Sequence, residues 1–140
     1  MKSLFASVLL LLLLPGAAAA KLDVGVVPPD LLGKTPEREE IRISQFKGTV
    51  MVVTFWASWC GPCLRELPVL DALQKTAGSR VKIVAVNVKD SVEDYRIVRR
   101  QMKDAALTFT HDSRGAITPA WSITYRLGYD LTSKPSLIAA

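Results

Sequence analysis

Cys60 and Cys63 are the two cysteines of this 140-residue chain, and they sit three positions apart in the run Trp59-Cys60-Gly61-Pro62-Cys63. Two sulfurs at that spacing, directly after the apolar run Val50 to Trp56, read as a redox couple placed where a strand hands over to a helix. At a helix N-terminus the unpaired backbone N–H groups and the dipole favour thiolate over thiol, so the Cys60 pKa should fall below the free value of about 8.5. The thiolate is the attacking species. Cys63 lies close enough to close a tight ring onto Cys60, and Pro62 suits the first turn because its missing N–H has no intrahelical partner. Such a pair can cycle between dithiol and disulfide. A zinc site needs a second Cys or His pair, and the chain offers only His111, so no metal is assigned. A purely structural disulfide is also a poor fit, because so small a ring removes little unfolded-state entropy.

The elements around the pair follow from periodicity. Ile41-Arg42-Ile43 alternates like a short strand, after an extended entry segment containing Pro28-Pro29-Asp30 and Gly33. Val50 to Trp56 is apolar almost throughout, as in a central strand buried on both faces. Past Cys60, Leu64, Leu67, Leu70 and Leu73 mark one helical face, while Arg65, Glu66, Asp71, Gln74 and Lys75 take polar positions. Pro68 should kink that helix and Gly78 should stop it. The β-branched run Val81 to Val88 completes a βαβ unit with parallel strands. Ser91 to Ala106 predicts a second helix, with Val92, Tyr95, Val98, Met102 and Ala106 inward and Arg96, Arg99, Arg100 and Lys103 on a basic face. Leu107 to Thr110 reads as a strand and Asp112 to Gly115 as a turn. Ile117 to Leu131 has helical spacing, and Ser136 to Ala140 begins another strand.

Residues 1–20 stand apart. Lys2, the apolar run Leu4 to Leu14, Pro15-Gly16 and four alanines have the pattern of an export signal, with cleavage expected before Lys21 and uncut retention as an anchor the alternative. Residues 21–140 are then one small α/β domain in a compartment where disulfides persist. The formal charge is +5, and without Lys2 17 basic residues face 13 acidic ones. That mild excess suits acidic partners or a membrane surface. No aromatic-interleaved basic stripe points to nucleic acid.

The stretch Phe55-Trp56-Ala57-Ser58-Trp59-Cys60-Gly61-Pro62-Cys63-Leu64-Arg65-Glu66-Leu67-Pro68 resembles, without departure, the FWAxWCxPCxxExP run of exported TlpA/ResA-like thiol-disulfide oxidoreductases. Pro28-Pro29-Asp30, Phe46-Lys47-Gly48 and Val86-Asn87-Val88 add weaker support. The resemblance spans about Val24 to the C-terminus. It implies a thioredoxin-like fold over residues 21–140, a central mixed sheet flanked by helices, C-terminally incomplete in that the family's last strand and helix are missing. It also implies that Cys60 is an exposed nucleophile, Cys63 the buried resolving thiol, and Trp59 and Pro62 the residues that shape access and redox poise. Glu66 matches the acidic residue of the CxxCxxE variant, either exchanging protons with Cys63 or facing solvent. The family's cis-proline maps onto Pro135, with Lys134 meeting the substrate backbone, or onto Leu127 in a second register.

The activity implied is reduction or exchange of disulfides in exported proteins, with apocytochrome c the leading substrate and a membrane-embedded thiol donor returning electrons. It needs no metal or organic cofactor. Two other readings stay open: an inactive truncated remnant, and a copper-handling or redox-regulated binding module.

Overall fold

The computed structural model describes residues 27–121 and the backbone of 136–139. Six strands, β1 (Leu31–Lys34), β2 (Glu40–Arg42), β3 (Val50–Trp56), β4 (Val81–Val88), β5 (Thr108–Asp112) and β6 (Ser136–Ala139), form one sheet in the order β2-β1-β5-β4-β3-β6. Strand β3 (Val50–Trp56) runs parallel to β4 (Val81–Val88), in a register that sets Val50 against Val81 and Trp56 against Asn87. Strand β5 (Thr108–Asp112) extends the parallel core on the far side of β4. At one side β1 (Leu31–Lys34) and β2 (Glu40–Arg42) form an antiparallel hairpin, β1 also pairing with β5. At the other, β6 (Ser136–Ala139) runs antiparallel to β3, with Ser136 opposite Val53.

Alternation along the strands divides the core in two, because successive side chains point to opposite faces. Val52, Trp56, Ile83 and Ala85 face the two long helices, α1 (Gly61–Ala77) and α2 (Val92–Gln101), through Leu67, Leu70, Tyr95 and Val98. Met51, Val53, Phe55, Val84, Val86 and Val88 face the other way, under Leu32, Ile117 and Trp121. The Trp121 ring lies 5.5 Å from that of Phe55 and closes the short helix α3 (Ile117–Ala120). The rest of the helix expected to Leu131 falls outside the described residues. Among those described, no helix is long and apolar enough to cross a membrane.

Helix α1 runs through Pro68, which is exposed, so the Leu64 carbonyl deprived of its donor lies on the solvent side. Gly78 ends the helix with φ +59°, a conformation that favours glycine, and its N–H bonds the Gln74 carbonyl. The buried face differs by one position from the leucine spacing. Cys63, Leu67, Leu70 and Gln74 point inward, whereas Leu73 is 45% exposed. Helix α2 starts at an Ser91 cap, whose hydroxyl accepts from the Asp94 N–H at 3.1 Å. It ends at Gln101, short of the expected Ala106: the Ala106 N–H that would continue the helix onto the Met102 carbonyl donates to Asp71 (2.6 Å), and that carbonyl accepts from the Ala105 N–H (3.1 Å) and the Arg99 guanidinium (2.9 Å).

Candidate active site

The redox pair lies at the carboxyl ends of the parallel strands. Strand β3 finishes at Trp56, Ala57 to Trp59 turn the chain, and Cys60 caps α1. The Cys60 N–H bonds the Ala57 carbonyl (3.0 Å), and the Cys60 carbonyl accepts from Leu64 (3.0 Å), so the cap is fixed on both sides. Cys60 and Cys63 are disulfide-bonded with their Cα atoms 5.3 Å apart. The Cys63 N–H points at Cys60 Sγ from 3.3 Å. This is the donor arrangement by which a helix N-terminus stabilises a sulfur anion once the disulfide opens. Pro62 occupies the first turn, where its lack of an N–H costs nothing.

The expected contrast between an exposed Cys60 and a buried Cys63 is absent in this oxidised state. The residues are 4% and 6% exposed, and both belong to the cluster of Trp56, Leu67 and Tyr95. Trp59, beside them, is 63% exposed. Glu66 is half-buried one turn after Cys63 and makes no side-chain hydrogen bond or ion pair to another described residue. Lys134, Pro135 and Leu127 lie outside the described residues.

One residue that the sequence reading passed over, Asp90, holds the turn in place together with Ser58 and Asn87. Asp90, 6% exposed after β4, accepts from the Ser58 N–H (2.7 Å) and the Ser58 hydroxyl (3.1 Å). Its Oδ2 also accepts from the fully buried Asn87 Nδ2 at 2.7 Å. Asp90 thus ties the loop two residues before Cys60 to the end of the neighbouring strand. Its own carbonyl is bonded by His111 Nε2 at 2.9 Å, and the His111 ring stacks on Tyr95 with centroids 4.7 Å apart. Tyr95 in turn lies 6.0 Å from the Trp56 ring. The sequence signal available was Asn87-Val88-Lys89-Asp90 at the end of a buried strand, but nothing in it names Ser58 as the partner. Among the described residues, no three His, Cys, Asp or Glu side chains gather where a metal ion could be held.

A vicinal sulfur pair capping a helix, at the carboxyl edge of a mixed sheet of this order, defines a thioredoxin-like thiol-disulfide oxidoreductase. The chain belongs to the Redoxin family, whose profile matches residues 24–137. It is similar to sporulation thiol-disulfide oxidoreductase A of Bacillus subtilis, 38% identical over 112 residues that make up 78% of this chain and 67% of that one. The thiol-disulfide oxidoreductase ResA of Geobacillus thermodenitrificans is 36% identical over 66 residues, 46% of this chain and 38% of its own length. The fold is shared with the thioredoxin domain of a thiol-disulfide oxidoreductase from Bacteroides vulgatus, with a TM-score of 0.65, 21% identity, and coverage of 75% and 77% of the two chains. The TlpA/ResA-like resemblance carried by residues 55–68 therefore holds.

Proposed function

We propose that this protein reduces or exchanges disulfides in exported proteins outside the cytoplasm. The observation that carries the reading is the Cys63 N–H aimed at Cys60 Sγ, which marks Cys60 as the sulfur whose anion the helix stabilises. Once the pair is reduced, thiolate Cys60 attacks one sulfur of a substrate disulfide. A mixed disulfide forms and the other substrate sulfur leaves as thiolate. Cys63, deprotonated, then attacks Cys60 Sγ, restoring the Cys60–Cys63 disulfide and releasing the second substrate thiol. Two electrons pass from the protein to the substrate. Glu66, on α1 one turn beyond Cys63, is the proposed acceptor of the Cys63 proton. A membrane-embedded thiol donor returns the electrons. The export pattern of residues 1–20 supports an extracytoplasmic reaction, and apocytochrome c, with its Cys-x-x-Cys-His segment, is the proposed substrate.

Trp59 and Pro62 flank the attacking sulfur and are assigned to substrate contact. Pro135 and Lys134 are proposed, on the family resemblance alone, as the segment that meets the substrate backbone. Insulin reduction in the presence of a dithiol donor tests the central step. The wild-type chain should accelerate precipitation of the insulin B chain, and Cys60→Ser should abolish the acceleration. Cys63→Ser should instead trap a mixed disulfide visible on a non-reducing gel. A folded wild-type chain without cysteine-dependent turnover would sink the proposal. A reduction potential well above that of thioredoxin, about −270 mV, would turn its direction toward oxidation.

A further inference from the structure

A cleft of about 840 Å³ opens between α2 and the turn joining β1 to β2, and the β5–α3 turn closes one end. Its cations come from four segments: Lys34 from β1, where it pairs with Glu40 at 3.5 Å, Arg38 from the hairpin turn, Arg96, Arg99, Arg100 and Lys103 from α2 and the turn after it, and Arg114 from the β5–α3 turn. The opposing charge is small. Asp112 is already engaged by the N–H groups of Ala116 and Ile117 and by the Thr118 hydroxyl, which leaves Glu37 as the wall's other carboxylate. Arg100 and Lys103 meet Glu93 and Asp104 only in exposed pairs at 3.3 and 3.7 Å. Such pairs contribute little and exchange readily. Arg38, Arg96 and Arg114 have no carboxylate partner among the described residues.

The lining is built for polar contact as well as charge. Tyr95, 4% exposed, contributes to the cleft, and its hydroxyl has no hydrogen-bond partner. Burial raises the phenol above its ordinary value against the opposing Arg99, so it stays a neutral donor. Arg99 is fixed over the Phe109 ring at 4.4 Å, with Nη1 on the Met102 carbonyl and Nε unpartnered. Like charges gathered around one concavity raise its potential and favour an anionic occupant.

The spacing of the cations selects among anions. Arg96 and Arg100 are one helical turn apart, about 6 Å along the axis. Same-face residues of an extended chain are separated by about 6.7 Å, so successive carboxylates on such a chain match the helix repeat. A cleft of about 840 Å³ is far larger than a single phosphate fills, and a concave cleft is a poor fit to a lipid surface. We infer that this cleft docks an extended acidic segment of the protein whose disulfide exchanges with Cys60 and Cys63. The inference rests on the thiol-exchange reading for the identity of the partner. Two lining residues link the cleft to the redox turn at one remove: Tyr95, whose ring stacks on that of Trp56, and His111, which bonds the Asp90 carbonyl.

The test is fluorescence anisotropy of a labelled hexaglutamate peptide with the full oxidised chain. Saturable binding is expected at low salt, weakening by about tenfold or more at high salt, where exposed charges are screened. The double variant Arg96→Glu/Arg114→Glu should lose at least about tenfold in affinity, and Arg38→Glu, in a different segment, should weaken binding independently. Hexalysine should not bind, and inorganic phosphate at matched concentration should not displace the peptide. Absence of saturable binding, binding unchanged by both variants, displacement by phosphate, or a preference for anionic phosphatidylglycerol vesicles over the peptide would each overturn the inference. Reduction of a small uncharged disulfide should stay at the wild-type rate in both variants. Failed peptide binding with that turnover intact defeats the docking inference alone. Peptide binding without any cysteine-dependent turnover defeats the thiol-exchange reading and leaves an acidic-segment cleft of another role.

Discussion

At the residue scale, the sulfur pair depends on one buried carboxylate, Asp90, which accepts from Ser58 and Asn87 and so holds the turn that precedes Cys60. The identity of the sulfur pair, its place at the head of a helix and the suitability of Pro62 all follow from neighbours within a few positions. Asp90 acts on Ser58, 32 residues away, and no local pattern records that partnership. The carboxylate accepts three hydrogen bonds in a buried setting, and removing it strands the Ser58 N–H and the Asn87 amide. Asp90→Ala is expected to cost about 2–4 kcal/mol in urea unfolding of the oxidised protein, because buried donors lose a charged acceptor. Asp90→Asn, which keeps an acceptor oxygen, should recover more than half of that. Equal stability of the alanine variant and wild type would mean that the turn is held by other contacts.

At the scale of elements, the strand and helix succession was readable because apolar runs and helical spacing alternate cleanly from Val50 to Val98. The finer choice of which α1 side chains point inward was not. Leucines at 64, 67, 70 and 73 suggest one stripe, yet the sheet needs a polar group at position 74. Strand β5 begins opposite Val84, which leaves the preceding residue of β4 without a strand partner on that side. Gln74 supplies the missing bond: its Oε1 accepts from the Ile83 N–H at 2.7 Å, and its Nε2 donates to the Gly78 and Val81 carbonyls. Gln74→Leu, although similar in size, should therefore lower stability by about 2–4 kcal/mol, read as a shift of the urea midpoint at constant slope. A second tie joins α1 to the approach to β5. Asp71 accepts from the Ala106 N–H at 2.6 Å and pairs with Lys75 at 2.7 Å. The Lys75 ammonium foremost, then the backbone donors, hold its carboxyl below the usual 3.8. A lowered folded pKa adds stability above the ordinary value, and that stability is lost as pH falls through the folded one. Asp71→Asn should thus flatten the acid limb of the stability curve below about pH 4 and leave the slope near neutrality unchanged. A parallel acid limb in both proteins would remove Asp71 from the account.

At the scale of the whole molecule, the parallel core was foreseeable from the βαβ pattern, whereas the β1–β2 hairpin was not. Ile41-Arg42-Ile43 alternates enough to mark its second strand within a residue, but the four residues of β1 are too few to show a period, and Leu31–Lys34 reads locally as an extended entry segment. The hairpin's position beside β5 nevertheless creates the wall of the basic cleft. The division of the core has another outcome. Trp56, 1% exposed, shares its cluster with both sulfurs and stands 6.0 Å from the Tyr95 ring, so the indole that ends β3 is packed with the redox pair itself. Disulfides drain the excited state of nearby indoles, and opening the bond should brighten the intrinsic emission without any added dye. Stepwise titration with a dithiol buffer should give an emission curve that follows the two-electron equilibrium of Cys60 and Cys63, about 30 mV for each tenfold change. Trp56→Phe should remove most of its amplitude; if the signal survived intact, exposed Trp59 would be the source. The protein carries a built-in lamp wired to its own switch.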